Sequence, residues 1–509
     1  MDLHEFGRLA WTAYIVILSL LCIYGLHRYC LVMMYYRSRK NAPKPLAEFD
    51  DLPRVTVQLP MFNEQFVAER IIEQACRIIY PQDRLEIQVL DDSTDETVEI
   101  ASAAVERMKA AGHDIVYIHR TDRTGYKAGA LEAATRVAKG EFILIFDADF
   151  VPPSDILQHT IHHFTDPKVA MVQTRWEHLN RQASLLTQAE AILLDGHFVI
   201  EHTARNRSGR YMNFNGTAGI WRKTAIADAG GWQHDTVTED LDLSYRAQLR
   251  GWKFVFLPEF TSPAELPPEM NAFKAQQHRW TKGIAQTCVK LLPTILSSDR
   301  NWKIKMESWF HLTSGCVYIL VVLLSILIGP ALISKLILDD DYTLWQMICD
   351  LWLFYVGTGS ALSFYVVSQR QIRRRWREIL FYLPPLMAVG IGIALNNATA
   401  AVEGFFCKAG EFVRTPKFGD KANRTGGWDK RLSGFKFRGA WKAWLELGLG
   451  LYLTACLCIC FFFDNWFEKI SAAIPFLGLF IFGYFYVAIQ TFYGHWVIAR
   501  RQTVVTSES

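Results

Sequence analysis

Long apolar runs frame a central region in which apolar positions come only in short groups. One run covers residues 9–36, and four others cover residues 312–338, 344–367, 444–463 and 474–497. Each is long enough to cross a bilayer as a helix, and the first exceeds the apolar core of a signal peptide. Each run therefore predicts a membrane-spanning helix, with a buried soluble helix as the alternative reading.

A sixth apolar run, residues 379–401, is interrupted by Pro384 and Pro385 and has basic residues on both sides. Positively charged flanks favour the cytoplasmic side of a membrane, and a single crossing cannot leave both flanks there. The run therefore predicts an interfacial or re-entrant element. With five crossings elsewhere, the N-terminus lies outside and residues 41–310 face the cytoplasm of a plasma or inner membrane.

The central residues 54–260 alternate between β-branched runs and helical patterns, which predicts a mostly parallel α/β sheet with helices on both faces. We expect three regions: an N-terminal membrane helix at 1–40, a cytosolic domain at 41–300 and a membrane domain at 301–509. In such sheets ligands bind beyond the carboxyl ends of the strands. Strands are predicted at residues 55–59, 86–90, 115–119, 142–146 and 169–173, and helices at 64–79 and 97–111.

Composition narrows the class of protein. Half of the 509 residues are hydrophobic and the formal net charge is only +3, which argues against a nucleic-acid binder. The ten cysteines show no Cys-x-x-Cys spacing, so neither a disulfide scaffold nor a zinc site is expected.

Two acidic motifs follow predicted strands. Asp147 and Asp149 are two positions apart at a strand end, where both carboxylates can hold one Mg²⁺ or Mn²⁺ together with substrate phosphates. A solvated acidic turn is the alternative for this pair. Asp91 is assigned to nucleotide binding, whereas Asp92 is divided between that role and capping the helix expected near Thr97.

Lys127 lies between two glycines just before a predicted helix. A helix N-terminus favours anions, and the ammonium adds a positive charge for phosphate. The segment lacks the spacing of a Walker loop, and by itself it is weak evidence.

Two later motifs supply the other parts of a group-transfer site. Asp240 begins a predicted helix, where it can cap the helix or act as a general base, and Glu239 can shape the same pocket. Arg279 can clamp phosphate oxygens, and Trp280 offers a flat apolar face to a sugar ring. Alone, the Arg-Trp pair would read as a membrane-interface anchor.

Taken in order, these motifs resemble those of membrane-integrated family 2 glycosyltransferases of the cellulose synthase superfamily, above all the plant mannan and glucan synthase-like enzymes and their bacterial relatives. The resemblance is strong over residues 53–290 and looser in the membrane region. The matching segments are residues 88–95, 125–131, 146–150, 214–219, 239–243 and 276–280.

The resemblance implies a GT-A fold and an inverting, metal-dependent transfer from a nucleotide sugar. It implies that Asp240 is the base, that Asp91 contacts the nucleotide, and that Asp147 and Asp149 hold metal and diphosphate. It also implies a gating-like loop at residues 410–420, although Arg414 and Pro416 depart from the family pattern. The remaining residues implied by the resemblance are Gln276, Arg279 and Trp280 for diphosphate and acceptor, Phe214, Asn215, Gly216 and Thr217 beside the acceptor, and Phe412, Arg414, Thr415 and Lys417 in the loop.

We therefore expect a processive β-glycan synthase that transfers a hexose and moves the polymer across the membrane. The donor is UDP-glucose or GDP-mannose, with a preference for UDP-glucose. The alternative is a glycosyltransferase that adds one or a few sugars to a lipid of the bilayer. A non-enzymatic transporter or receptor is disfavoured, because ordered acid, base and cation-binding groups point to catalysis.

Overall fold

The computed structural model describes residues 3–338, 344–373, 375–406, 440–464 and 466–508. The predicted gating-like loop lies outside these ranges, and with it Phe412, Arg414, Thr415 and Lys417.

A seven-stranded sheet forms the centre of the domain between the apolar regions, in the order β3-β2-β1-β4-β6-β5-β7. The first four strands of that order run parallel, and β6 pairs antiparallel with both β4 and β5. The strands are β1 (Val55–Met61), β2 (Leu85–Asp91), β3 (Ile115–His119), β4 (Phe142–Ile145), β5 (Val169–His178), β6 (Gly219–Arg222) and β7 (Lys253–Ala264).

The five predicted strands are confirmed, but β6 and β7 were not predicted. β6 has only four residues, too few for a periodic pattern to be recognised in the sequence. β7 carries Pro258 and Pro263, which disfavour a strand reading, and its pairing with β5 contains register shifts.

Helices cover both faces of the sheet, as predicted. On β4, Leu144 packs into one core with the helices that begin at Ala68 and Thr97, whereas Ile143 and Ile145 pack into a second core on the opposite face. The helices of this domain are Ala68–Ala75, Thr97–Ala110, Tyr126–Val137, Ile156–Thr160, Leu185–Asp195, Thr203–Arg207, Lys223–Asp228, Glu239–Leu249 and Met270–Ser297.

A π-helical segment, Gly196–His202, joins two of these helices without a break. Such segments are frequent at functional sites. A Cβ atom at Gly196 would lie 2.6 Å from the Phe364 ring, so the segment packs closely against an apolar helix.

In the part of the chain that the structure describes, four helices are long and apolar enough to cross a membrane: Glu5–Ser38, Cys316–Leu336, Trp441–Cys460 and Ile474–Val497. The predicted crossing at residues 344–367 coincides with a continuous helix, and its role as a crossing stays a prediction. The complete helices of these regions are Leu3–Ser38, Trp302–Leu312, Cys316–Leu338, Leu344–Ile372, Ile379–Gly392, Ala394–Phe406, Ala440–Cys460, Trp466–Ile470 and Ile474–Glu508.

The sixth apolar run forms two helices that meet at Ile393 with a bend of 45°. Pro384 and Pro385 lie inside the first helix, so the expected interruption at the prolines is wrong. A bent pair of this kind is either a broken crossing or a re-entrant element. With the five crossings predicted elsewhere, a broken crossing would make six and a re-entrant element would leave five.

Candidate active site

A single cleft at the carboxyl ends of the parallel strands collects most of the predicted site residues. It encloses about 1250 Å³ of space, part of it open to solvent. Asp91, Phe214 and Thr217 are not among the residues that line it. The predicted residues that do are Asp92, Lys127, Asp147, Asp149, Asn215, Gly216, Glu239, Asp240, Gln276, Arg279 and Trp280.

The carboxylates at the end of β2 are held by side chains of neighbouring elements. Asp91 is fully buried, and its two oxygens accept hydrogen bonds from the Tyr117 hydroxyl (2.6 Å) and the Ser93 amide (2.9 Å). Asp92 accepts two hydrogen bonds from the Arg120 guanidinium, at 2.8 and 2.5 Å. Asp91 is therefore placed to shape the strand end, whereas Asp92, held by Arg120, lines the cleft.

The capping role considered for Asp92 is wrong. The carboxylate that accepts a hydrogen bond from the Thr97 amide, at 3.0 Å, belongs to Asp95. An aspartate two residues before the donating amide makes this bond locally, whereas Asp92 is already engaged by Arg120, 28 residues along the chain.

Lys127 and Asp147 form an ion pair in the middle of the cleft. The Lys127 ammonium donates to Asp147 Oδ1 at 2.5 Å and to the Gly216 carbonyl at 2.9 Å. Burial alone would lower the pKa of Lys127, but Asp147 and Glu239 raise it above its ordinary value. The lysine is therefore positively charged in this site and available to an anionic group.

Asp147 and Asp149 provide a donor set that fits a hard divalent cation. Both carboxylates line the cleft directly after β4, and the Asp147 amide donates to Thr217 Oγ1 at 2.8 Å. In the described residues, no three acidic, histidine or cysteine side chains converge to hold a metal by themselves. A cation here would therefore share these carboxylates with phosphate oxygens, as Mg²⁺ usually does.

Asp240 lies across the cleft, at the start of the helix Glu239–Leu249. Burial and the neighbouring Glu239 raise its pKa from 3.8 to about 7, while Lys127 and Arg279 oppose the shift. A carboxylate with a pKa near the working pH accepts and returns a proton readily. The position and raised pKa of Asp240 suit its predicted role as the general base.

The segment at Asn215 and Gly216 brings the backbone close to Asp240. Gly216 has φ of +79°, and a Cβ atom there would lie 2.9 Å from Asp240 Oδ2, so only glycine fits without displacing the carboxylate. Phe214 points the other way, fully buried against Trp221 in the core. Its predicted contact with the acceptor would therefore be indirect.

Gln276, Arg279 and Trp280 share one helix, Met270–Ser297, whose first turns border the cleft. A Cβ atom at Gly283 would overlap the Thr238 side chain, so this helix lies against the residue that precedes Glu239 and Asp240. The close approach fixes the Arg-Trp pair relative to Asp240, a relation that the sequence motifs do not contain.

Sequence reasoning missed several residues that line the cleft. The Arg123 guanidinium stacks on the Phe62 ring at 3.3 Å from its centroid, beside Asp92. Trp176 and His178 project from the end of β5. They share one face of the strand, and this two-residue spacing was the only available signal.

A mixed seven-stranded sheet with acidic residues at its strand ends, covered by helices on both faces, is the architecture of a GT-A glycosyltransferase domain. A carboxyl group with a raised pKa, two neighbouring aspartates and an arginine lie in one cleft, where an enzyme of this class would need its base and its charge-binding groups.

Comparisons with known proteins agree with this class. Residues 53–283 match the family described as glycosyltransferase like family 2. "Probable glucomannan 4-beta-mannosyltransferase 10" of Arabidopsis thaliana is 33% identical over 483 residues, covering 89% of this chain and 83% of the relative. "Glucomannan 4-beta-mannosyltransferase 2" of the same plant is 36% identical, covering 80% of this chain and 76% of the relative.

Among solved structures, the mannosyltransferase PcManGT from Pyrobaculum calidifontis, in complex with GDP-Man and Mn²⁺, aligns with a TM-score of 0.51. It is 20% identical and covers 77% of this chain and 99% of its own, so it supports the fold alone. From the sequence relatives, the chain belongs to glycosyltransferase family 2 in the cellulose synthase superfamily, and it is a hexosyltransferase.

Proposed function

We propose that this protein is an inverting, processive β-mannosyltransferase that takes its donor sugar from GDP-mannose and extends a β-glycan. The observation that carries the proposal is the single cleft in which Asp240, with its raised pKa, faces the Lys127–Asp147 pair and the helix of Arg279 and Trp280. This arrangement supplies a base on one side of the sugar and positive charge on the other.

In the proposed reaction the acceptor hydroxyl attacks the anomeric carbon of the bound sugar nucleotide. Asp240 removes the hydroxyl proton as the new glycosidic bond forms and the bond to the diphosphate breaks. Lys127 and Arg279 stabilise the negative charge that the leaving diphosphate gains. Direct displacement of an α-linked sugar gives a β-linkage. The names of the relatives state the same linkage.

A divalent cation held by Asp147 and Asp149 would neutralise further charge on the diphosphate. Both Mg²⁺ and Mn²⁺ suit two carboxylates and phosphate oxygens. The solved mannosyltransferase that shares this fold was obtained with Mn²⁺, which supports Mn²⁺ as the first ion to test.

From the sequence, UDP-glucose was the preferred donor, and no observation confirms that preference. The proposal of GDP-mannose therefore departs from it. The relatives that span most of this chain are named as mannosyltransferases, and they support GDP-mannose. The names of these relatives also support a glucomannan-type β-glycan as the acceptor.

We further propose that the catalytic domain faces the cytosol and that the apolar helices pass the growing chain across the membrane. Four candidate crossings support a membrane location, and the basic flanks of the apolar runs support this orientation. Protease digestion of sealed inverted vesicles should cleave at residues 41–300 and leave the loop near residue 464 intact. Protection of residues 41–300 would contradict the orientation.

The decisive experiment is a donor panel on purified protein in nanodiscs with Mn²⁺. GDP-mannose, GDP-glucose, UDP-glucose and UDP-N-acetylglucosamine are compared by release of the nucleoside diphosphate, and product size is measured with radiolabelled sugar. We expect GDP release from GDP-mannose and a labelled polymer that precipitates in ethanol. Turnover of UDP-glucose alone would overturn the donor proposal, and label confined to the organic phase would indicate a glycolipid product.

A further inference from the structure

A chain of buried and partly buried polar side chains begins at the cleft and ends on the first apolar helix. In the described residues, it passes from Asn215 through His197, Glu201, Arg205 and Glu307 to His27. None of the last five was singled out by the motifs, and no step of the proposed reaction uses them. Buried charges are costly unless they are paired, so such a chain calls for a physical reason.

Asn215 is held by two histidines from the π-helical segment. Its Oδ1 accepts from His202 Nε2 at 2.6 Å, and its Nδ2 donates to His197 Nε2 at 3.1 Å. The Asn215 amide donates to Gln173 Oε1 at 3.2 Å. Three hydrogen bonds therefore fix both the side chain and the backbone of this residue.

The directions of these hydrogen bonds are mutually dependent. His202 is fully buried, and burial together with His197 and Arg205 holds its pKa well below the ordinary value, so the ring is neutral, and its Nε2, which faces the Asn215 oxygen, carries the hydrogen. Asn215 must then accept with its oxygen and donate with its nitrogen. His197 accepts at Nε2, which leaves its Nδ1 to donate to Glu201 Oε2 at 2.9 Å.

Glu201 is held in turn from the side of the first apolar helix. An Arg205 terminal nitrogen lies 3.6 Å from Glu201, and Arg205 Nε donates to Glu307 at 2.9 Å. His27 of the helix Leu3–Ser38 contacts the other Glu307 oxygen at 3.0 Å. The Arg205 and Glu307 side chains are only 3% and 4% exposed, so water contributes little to this support.

These hydrogen bonds fix the Asn215–Gly216 segment, which lies beside Asp240 and Lys127. Gly216 follows Asn215 directly, its carbonyl accepts from Lys127, and its Cα faces Asp240. A shift of Asn215 would therefore move the backbone between the base and the ion pair. Displacements of this kind cost activity even when every catalytic group is present.

We propose that His197, oriented by Glu201, is a positioning residue that fixes the Asn215–Gly216 segment against Asp240. The proposal rests on the proposed function only in taking Asp240 as the base. It predicts a larger effect on turnover than on donor binding, because the hydrogen bonds of His197 hold the backbone that faces Asp240, whereas Lys127 keeps its ion pair with Asp147.

The test compares three substitutions at one position. In His197→Gln the side-chain amide reaches the place of Nε2 and keeps the bond to Asn215, whereas in His197→Asn it reaches the place of Nδ1 and keeps only the bond to Glu201. We expect His197→Ala and His197→Asn to lower kcat about tenfold or more, and His197→Gln to recover most of it. The donor KM should change less than about twofold in all three.

His163→Ala is the matched control, since it removes another buried histidine of the same domain that does not line the cleft. Thermal unfolding and nucleotide binding of each variant are measured beside kcat, with whichever nucleotide sugar the unsubstituted protein turns over. Equal kcat for the Gln and Asn variants, or a loss in His163→Ala as large as in His197→Ala, would overturn the positioning role. A donor other than GDP-mannose would refute the proposed function and leave the ranking of the His197 variants intact.

Discussion

The two sides of the cleft are built differently. On the proposed donor side the carboxylates have partners within the protein: Asp92 has Arg120 and Asp147 has Lys127, and Asp91, which does not line the cleft, has Tyr117. Elsewhere along the cleft, three buried polar atoms have no hydrogen-bond partner among the described residues: Gln276 Oε1, Trp176 Nε1 and Thr238 Oγ1.

This difference indicates which side is complete before substrate arrives. Paired carboxylates keep their position in the protein alone, so the donor side is organised in advance. Buried polar atoms without partners are costly, and a sugar hydroxyl can supply the missing hydrogen bonds. The predictions below test this contrast, beginning with the largest effect.

Asp240→Asn should remove the base while keeping the size of the side chain. We expect kcat to fall by about 10³-fold, within the range for loss of a general base, with donor affinity little changed. Nucleoside diphosphate release and calorimetric donor binding measure the two quantities. Asp83→Asn, at an exposed aspartate outside the cleft, is the control. Normal turnover in Asp240→Asn would refute the assignment of Asp240 as the base.

Lys127→Met should act on the donor side. Loss of the ammonium leaves Asp147 without its partner and the diphosphate without a charge-assisted contact. We expect the donor KM to rise by about ten- to a hundredfold, from the usual strength of such hydrogen bonds. Steady-state kinetics over a range of GDP-mannose concentrations measure it. A pure loss of kcat would assign the lysine to the transition state instead.

The pH dependence tests the raised pKa of Asp240. Because a base works deprotonated, kcat/KM should fall as the pH drops below about 7, by about tenfold for each further unit. Glu239→Gln removes one of the two causes of the raised pKa, so the acid limb should move to lower pH. If the acid limb stays at the same pH in Glu239→Gln, the limb would be assigned to a group other than Asp240.

Gly216→Ala should disturb the contact between the Asn215–Gly216 segment and Asp240. Gly209→Ala is a matched control, because Gly209 also has positive φ (+70°) but a Cβ there meets nothing within 4 Å. Both should lose about 1 kcal/mol of stability from the positive φ. Only Gly216→Ala should also lower kcat, by a few-fold, and an equal loss in both variants would exclude the contact as the cause.

Much of the domain could be predicted from its sequence, because the signals were local. The β-branched runs that form β1 to β5 and the helix that begins at Thr97 depend on alternation and helical periodicity along the chain. The acidic pairs follow strand ends, and parallel strands bring their ends to one edge, so a shared cleft followed from the pattern.

The sequence by itself thus determined the strands β1 to β5, the long apolar helices, and a family membership that its relatives confirm. It did not determine which carboxylate pairs with which cation: Arg120 on Asp92 and Lys127 on Asp147 are contacts across 28 and 20 residues. Nor did it reveal that Gly283 lets the Arg279 helix reach Thr238, or that His197 and Glu201 support Asn215. These relations join residues with no fixed spacing along the chain, so they exist only once the fold has brought the elements together.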